Sequence, residues 1–326
     1  MSETFATQPP PLWDEGEHNF GYVPNPESTR AFLMELGASH PAVLSEAAPH
    51  WMGDGLAGDL RPYLSIYENE VLNPDGTVWK AKGKEPPYRA QTGNNCTSEG
   101  TSHGLDALQF MLASEGSAVV HRTCTEATYA FGLSAAGMRG DNGCYGSAMA
   151  KAARDIGAVS YKMVGGPHDE DGNRLRQYAN NPDAVVAAFR DQAAAFRVPT
   201  VVQVTTREEY CAAIANRGVV IVGSNVGYNT PRDERGICER RGRWPHLMFH
   251  WGVIRSDGVE TSVQFQSWGP NQPTGPTPFD LPTYAFRVRM EDALAQFSGG
   301  DAFALFGFPG FERRPLPSAW VSNQWL

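Results

Sequence analysis

Three observations predict an α+β domain. Between Cys96 and Gly218, apolar residues recur at helical spacing between recognisable helix ends. After Gly218 the pattern changes to runs of β-branched and aromatic residues. Helical and strand patterns are segregated along the chain rather than alternating, which favours an antiparallel sheet over a βαβ architecture. The 326 residues suffice for a large core. Composition divides them into a Pro/Gly-rich N-terminal arm, residues 1–85, and a folded domain, residues 86–326.

In the arm, Pro9-Pro10-Pro11-Leu12-Trp13 and Phe20-Gly21-Tyr22-Val23-Pro24 read as extended chain with exposed aromatics, outside any core. A short helix is predicted over 27–36, entered from Asn25-Pro26. Proline is tolerated in a first turn, and Phe32, Leu33 and Leu36 share a face. Asp75-Gly76, after Asn73-Pro74, predicts a turn between strands 67–72 and 77–80.

A helix beginning at Cys96 is predicted from Leu105, Leu108, Met111 and Leu112, which form one face behind the small residues Gly100 and Gly104. Its positive end would face the sulfur, and that placement lowers a thiol pKa. An Ala-rich helix over 145–156 is stopped by Gly157. A third, over 182–196, has Asn181 as N-cap and Pro182 at its first position. A fourth opens on the capping-box pattern Thr206-Arg-Glu-Glu209 and ends near Arg217-Gly218. Strands follow over 219–222, 247–254 and 261–266, with Ser256-Asp257-Gly258 as the hairpin turn between the last two. Beyond a Pro/Gly-rich loop at 269–282 come a strand over 284–288, a short helix over 291–297 and a strand over 302–308.

A net charge of −9 without any basic run excludes a nucleic-acid surface, which needs clustered Lys and Arg. The first residues lack a basic segment and an apolar core of signal-peptide type, and no apolar run reaches spanning length, so a cytoplasmic protein without a membrane partner is expected. Cys96, Cys124, Cys144, Cys211 and Cys238 are odd in number and scattered, as free thiols are. None forms a Cys-x-x-Cys pair, so neither a metal nor another cofactor is expected.

Against this background one constellation carries chemistry. Gln91 and Cys96, in Gln-Thr-Gly-Asn-Asn-Cys, stand far upstream of His246-Leu-Met-Phe-His250-Trp-Gly and Gln266-Ser-Trp-Gly. A thiol attacks as its thiolate, so it needs an imidazole beside it, and the imidazole needs a third group to hold its tautomer. Cys96 is the nucleophile, with Gln91 supplying an N–H to the oxyanion. His246 and His250 compete as base, and both remain candidates. As metal ligands the two histidines lack a third partner in sequence.

The same blocks resemble the papain-like cysteine peptidase superfamily. That family has a glutamine five or six residues before its nucleophile and a Leu-acid pair nine and ten residues after it, matched here by Gln91 and Leu105-Asp106. Asp141-Asn-Gly-Cys-Tyr-Gly-Ser-Ala-Met-Ala aligns with the family's Asn-Gly-Gly segment, His246 and Gly252 keep its His-to-Gly spacing, and Gln266-Ser267-Trp268-Gly269 matches its Asn-Ser-Trp-Gly. The resemblance implies a helical half carrying Cys96 packed on an antiparallel half carrying His246. It also implies Gln266 as the orienting amide, Gly143 as backbone partner of an extended substrate, and Trp268 as a shield over the histidine. This sequence departs from the family at Thr97, Cys144 and Gln266, where the family has an aromatic residue, a glycine and an asparagine.

The implied activity is hydrolysis of a peptide or amide bond. The block pattern is more similar to papain-like proteins of bacteria and tailed phages than to secreted plant or lysosomal enzymes. A virion or assembly component that keeps the fold with weak or lost catalysis is therefore the alternative, its arm docking on other subunits. A peptidoglycan amidase or endopeptidase is a third reading. For an enzyme, the arm is an inhibitory pro-segment or a docking arm, and the partner is a peptide or protein substrate.

Overall fold

The computed structural model describes residues 21–36, 90–114, 121–165, 170–267, 273–281 and 284–310. The predicted turn at Asp75-Gly76, its flanking strands and Trp268 lie outside these residues. The helices are α1 (Pro26–Leu36), α2 (Cys96–Ser114), α3 (Thr125–Ala136), α4 (Gly146–Asp155), the one-turn α5 (Tyr161–Val164), α6 (Gly172–Asn180), α7 (Pro182–Ala194), α8 (Arg207–Ala215) and α9 (Met290–Phe297). The strands are β1 (Thr200–Gln203), β2 (Val219–Tyr228), β3 (Arg240–Ser256), β4 (Val259–Phe265), β5 (Ala285–Arg289) and β6 (Ala302–Phe306). They form one antiparallel sheet of order β1-β6-β2-β3-β4-β5, giving the α+β class.

The predicted helix ends form as their chemistry requires. Thr206 Oγ1 accepts from Glu209 N–H while the Glu209 carboxylate takes the Thr206 N–H, a complete capping box. Gly157 adopts φ +107 and donates to the Ala152 carbonyl, closing α4. Asn181 differs from expectation: its carbonyl accepts from Val185 N–H, but its side chain makes no cap bond and donates to Gln177 O at 3.4 Å. Joining α6 directly to α7 leaves that amide facing back along α6. In the β3–β4 hairpin, Asp257 and Gly258 both have positive φ, the geometry that matches strand twist.

Alternation along the strands divides the interior in two. Ile221, Leu247 and Phe249 face α2, whose Gly104 sits over Val219 and Ile221. Val220, Val222 and Met248 face the other way, under Tyr210 of α8 and Phe297 of α9. A third cluster lies behind α3, where Phe131 meets Val185 and Val186 of α7.

Two expectations are corrected. The described part of the arm is not outside the core: Tyr22 and Phe32 belong to the first cluster, and Phe32 meets the Phe303 ring edge-on at 5.4 Å. Composition rich in Pro and Gly marks irregular chain, and irregular chain packs when its aromatics find a groove. The charged stretch from Arg232 to Arg243, whose mixed signs predict a solvated loop, is not wholly one either. Its end opens β3, and the buried Arg232 guanidinium donates to the carbonyls of Gly275 and Ala285, both at 2.9 Å.

Candidate active site

Cys96 is the first residue of α2, whose opening turn is set by Ser98 N–H and Glu99 N–H donating to the Asn95 carbonyl. α2 lies across β3, and Gly100 permits close approach, since a methyl there would meet Leu247 Cδ2 at 2.5 Å. The Cys96 sulfur thereby reaches β3: Leu247 N–H donates to Sγ at 3.4 Å. The residue before Leu247 is His246. Residues from distant parts of the chain thus meet at one contact.

His246 sits where the β2–β3 ladder breaks. It pairs with Ser224, and the next pair is Val226 with Arg243, so β3 carries an extra residue at this point. Such a bulge re-aims side chains, and it also accommodates Pro245, which cannot donate to a regular ladder. His250 is placed differently. It is buried among Tyr210 and Phe297 on the sheet face away from α2, and its Nδ1 hydrogen-bonds Ser262 Oγ at 2.9 Å. The ladder runs regularly from His246 to His250, so by alternation both histidines share the parity of Met248; His250 is held by Ser262, and the sulfur meets the backbone of Leu247, the residue after His246.

The two glutamines also converge. Gln91 N–H donates to the Ser267 carbonyl at 3.0 Å, and Ser267 Oγ donates to Gln91 Oε1 at 2.8 Å. Gln91 is thus fastened to the residue after Gln266, which is itself buried at the end of β4 with its N–H toward Tyr284 O. Gln91 Nε2 donates to Gly93 O at 2.9 Å, drawing the loop before the nucleophile into a tight turn. Further bonds fix that loop. Asn94 N–H donates to Asp141 Oδ1 at 2.9 Å, Tyr129 Oη donates to Asn94 O at 3.3 Å, and Glu170 accepts from Thr92 N–H at 2.6 Å and from the Asn95 amide.

Residues 143–144, just before α4, meet the arm. Gly143 N–H is taken internally by Tyr129 Oη at 3.0 Å, so the backbone groups that pair with the arm belong to Cys144. The arm fills them: Cys144 N–H donates to Gly21 O at 2.8 Å, and Val23 N–H donates to Cys144 O at 3.0 Å, a parallel bridge centred on Tyr22. Neither Tyr22 nor the role of Cys144's backbone was read from sequence. The only local signal was an aromatic between glycine and a β-branched residue.

Burial decides the electrostatics. Cys96 has no solvent-exposed surface, and desolvation pushes its thiol well above the ordinary range, against the lowering by the Leu247 amide. The lowered thiol pKa expected from the helix end is therefore not found in this arrangement, because a dry site penalises the charged form more than one helix end favours it. Burial likewise holds His246 down to about 3. Both groups are neutral here. Among the described residues no cluster of three or more His, Cys, Asp or Glu is placed to hold a metal ion, and no helix is long and apolar enough to cross a membrane.

A cysteine at the head of a helix, packed on an antiparallel sheet whose histidine strand runs beneath it, defines the papain-like cysteine-protease fold. In comparison with solved structures, xylellain, a cysteine protease from Xylella fastidiosa, matches over 94% of this chain and 99% of its own, with a TM-score of 0.52 and 13% identity. A procathepsin B from Trypanosoma congolense covers 88% of this chain and 82% of its own, with a TM-score of 0.46 and 9% identity. The cysteine protease and lectin-like domains of Cwp84 from Clostridium difficile match 84% of this chain and 61% of theirs, with a TM-score of 0.44 and 15% identity. No protein-family model and no curated protein matches the sequence.

Proposed function

We propose that this chain is a papain-like cysteine peptidase or amide hydrolase whose groove is covered by its own arm. The observation that carries this reading is the convergence of four separated residues: Cys96 meets the residue after His246, and Gln91 is bonded to the residue after Gln266. With the groove open, solvation lowers the thiol pKa and raises that of the imidazole, so a thiolate–imidazolium pair becomes accessible. Cys96 Sγ then adds to the scissile carbonyl carbon while His246 holds the thiol proton. The oxyanion receives the Cys96 N–H and the Gln91 side-chain N–H, a donor typically worth about 3 kcal/mol. Collapse breaks the C–N bond, His246 gives its proton to the departing amine, and water hydrolyses the thioester. Gln266 fixes the ring through its amide oxygen, with Trp268 as shield.

The arm's role follows from the same groove. With both Cys144 backbone groups engaged by Gly21 and Val23, no second extended peptide can pair there. Residues 1–85 are accordingly a pro-segment. Intact mass after incubation at several pH values tests this: the wild-type chain is expected to lose N-terminal residues, and Cys96→Ala is not. Retention of full mass in both, at every pH, contradicts a self-processing zymogen.

The sealed thiol and the longer amide of Gln266 favour one second reading, a virion or assembly component that uses the fold as a scaffold and the arm as a dock for other subunits. Thiol labelling separates the two. An enzyme shows one cysteine, Cys96, reacting far ahead of the other four once the arm is displaced; a scaffold shows no such preference.

A further inference from the structure

We infer that the pocket now filled by Tyr22 is a substrate pocket selective for a tyrosine side chain, with Asp301 as the residue that accepts its hydroxyl. This deepens the peptidase reading and rests on it for the word substrate, while the pocket itself stands on geometry.

The bridge to Cys144 fixes the register: Tyr22 is the residue opposite Cys144, and its side chain turns into the first core beside Cys96. Gly223 makes the room, for a methyl there would lie 2.3 Å from the Tyr22 ring. At the far end the Tyr22 hydroxyl is hydrogen-bonded to the Asp301 carboxylate. Asp301 is positioned from both sides, because its carbonyl accepts from Gly223 N–H at 2.9 Å and its Oδ2 accepts from Gly146 N–H at 2.9 Å. Thr29 of α1 supplies a further donor at 3.2 Å. An extended substrate that takes over the Cys144 backbone groups places its own side chain where Tyr22 lies, since strand pairing fixes side-chain direction.

The selectivity follows from what the pocket already holds. Apolar walls favour a ring over a charged chain. The carboxylate is served by the Gly146 and Ser147 amides, so it needs only a neutral donor at the pocket's end, and a lysine or arginine would have to shed its hydration. A phenylalanine fills the same volume but leaves a buried acceptor short of a partner, the kind of mismatch that discriminates strongly.

The test uses the full chain carrying Tyr22→Ala, with p-cresol and toluene as probes of the vacated pocket. p-Cresol is expected to raise the Tm of the variant more than toluene does, to leave the wild type unchanged, and to lose its advantage in Tyr22→Ala/Asp301→Ala. Equal stabilisation by both probes overturns the proposal. Tripeptide substrates differing only at the residue opposite Cys144 supply the second readout, with Tyr expected to exceed Phe in kcat/KM by about tenfold or more, and Arg to be poorest. Cleavage without that order overturns the pocket while leaving the peptidase. No cleavage and an inert Cys96, with p-cresol still preferred, overturns the peptidase while leaving the pocket. Should Tyr22→Ala not fold, Tyr22→Phe is expected to lower Tm in the wild type and not in Asp301→Ala, and a neutral Tyr22→Phe would contradict the hydroxyl's role.

Discussion

At the scale of single residues, Gly21 and Asp301 hold the arm on the domain, through the Cys144 amide and through Thr29 and Tyr22. Gly21 has φ +102, and a methyl built on it would lie 1.8 Å from the Asn94 carbonyl oxygen. Gly21→Ala therefore cannot keep its place, and the arm must lift away from the loop before Cys96. Iodoacetamide alkylation of Cys96, followed by peptide mapping, is expected to accelerate by about tenfold or more, because a buried thiol reacts only through opening. An unchanged rate would mean that the arm is not the cover. Asp301 gives a pH signature. Its carboxyl is raised to about 6 from 3.8, chiefly by burial, so the folded, arm-docked state binds the proton more tightly than the open chain does. Its contribution is complete below the ordinary carboxylate pKa and lost as pH rises through about 6, a span on the order of 3 kcal/mol. Thermal stability should fall over that window more steeply in the wild type than in Asp301→Asn. Parallel profiles would contradict the assignment. Cys96, His246, Gln91 and Gln266 could be put forward as candidates because their order and spacing are carried in one dimension. Tyr22 and Asp301 could not, because they come from opposite ends of the chain and nothing local marks either as facing the other.

At the scale of elements, α1 joins arm and domain. Phe32 packs on Phe303, Arg154 lies over its ring at 4.9 Å, and Glu35 pairs with Lys151 and Arg154 of α4. Phe32→Ala should cost about 3–5 kcal/mol in urea unfolding. It should also speed Cys96 alkylation, since the same helix carries Thr29 to Asp301. A loss below about 1 kcal/mol would mean that α1 is only laid on the surface. The capped helices α4, α7 and α8 were legible from Gly157, Pro182 and the Thr206–Glu209 box. Helix α3 was not: residues Thr125 to Leu133 are all buried, so it shows no polar stripe and no period. Its Glu126 is covered because Arg174 of α6 pairs with it at 2.6 Å, a partnership between elements that a local pattern does not display. Strand β3 was read only over its apolar second half, because Pro245 and three nearby arginines, Arg240, Arg241 and Arg243, hide the first half.

For the whole molecule, the α+β class and the segregation into a helical half and an antiparallel half were legible, since they depend only on period. The placement of the arm was not, because docking in a groove depends on shape that the domain acquires after folding. On the peptidase reading, Cys96 and His246 form a reactive pair once the arm is displaced. The pH–rate profile of Cys96 alkylation in Gly21→Ala, with and without His246→Ala, decides this. A reactive pair predicts a rate plateau from about pH 6, well below an ordinary thiol pKa of about 8.5, that disappears when His246 is removed. A profile that rises only near pH 8.5, is indifferent to His246→Ala and matches the other four cysteines would contradict it.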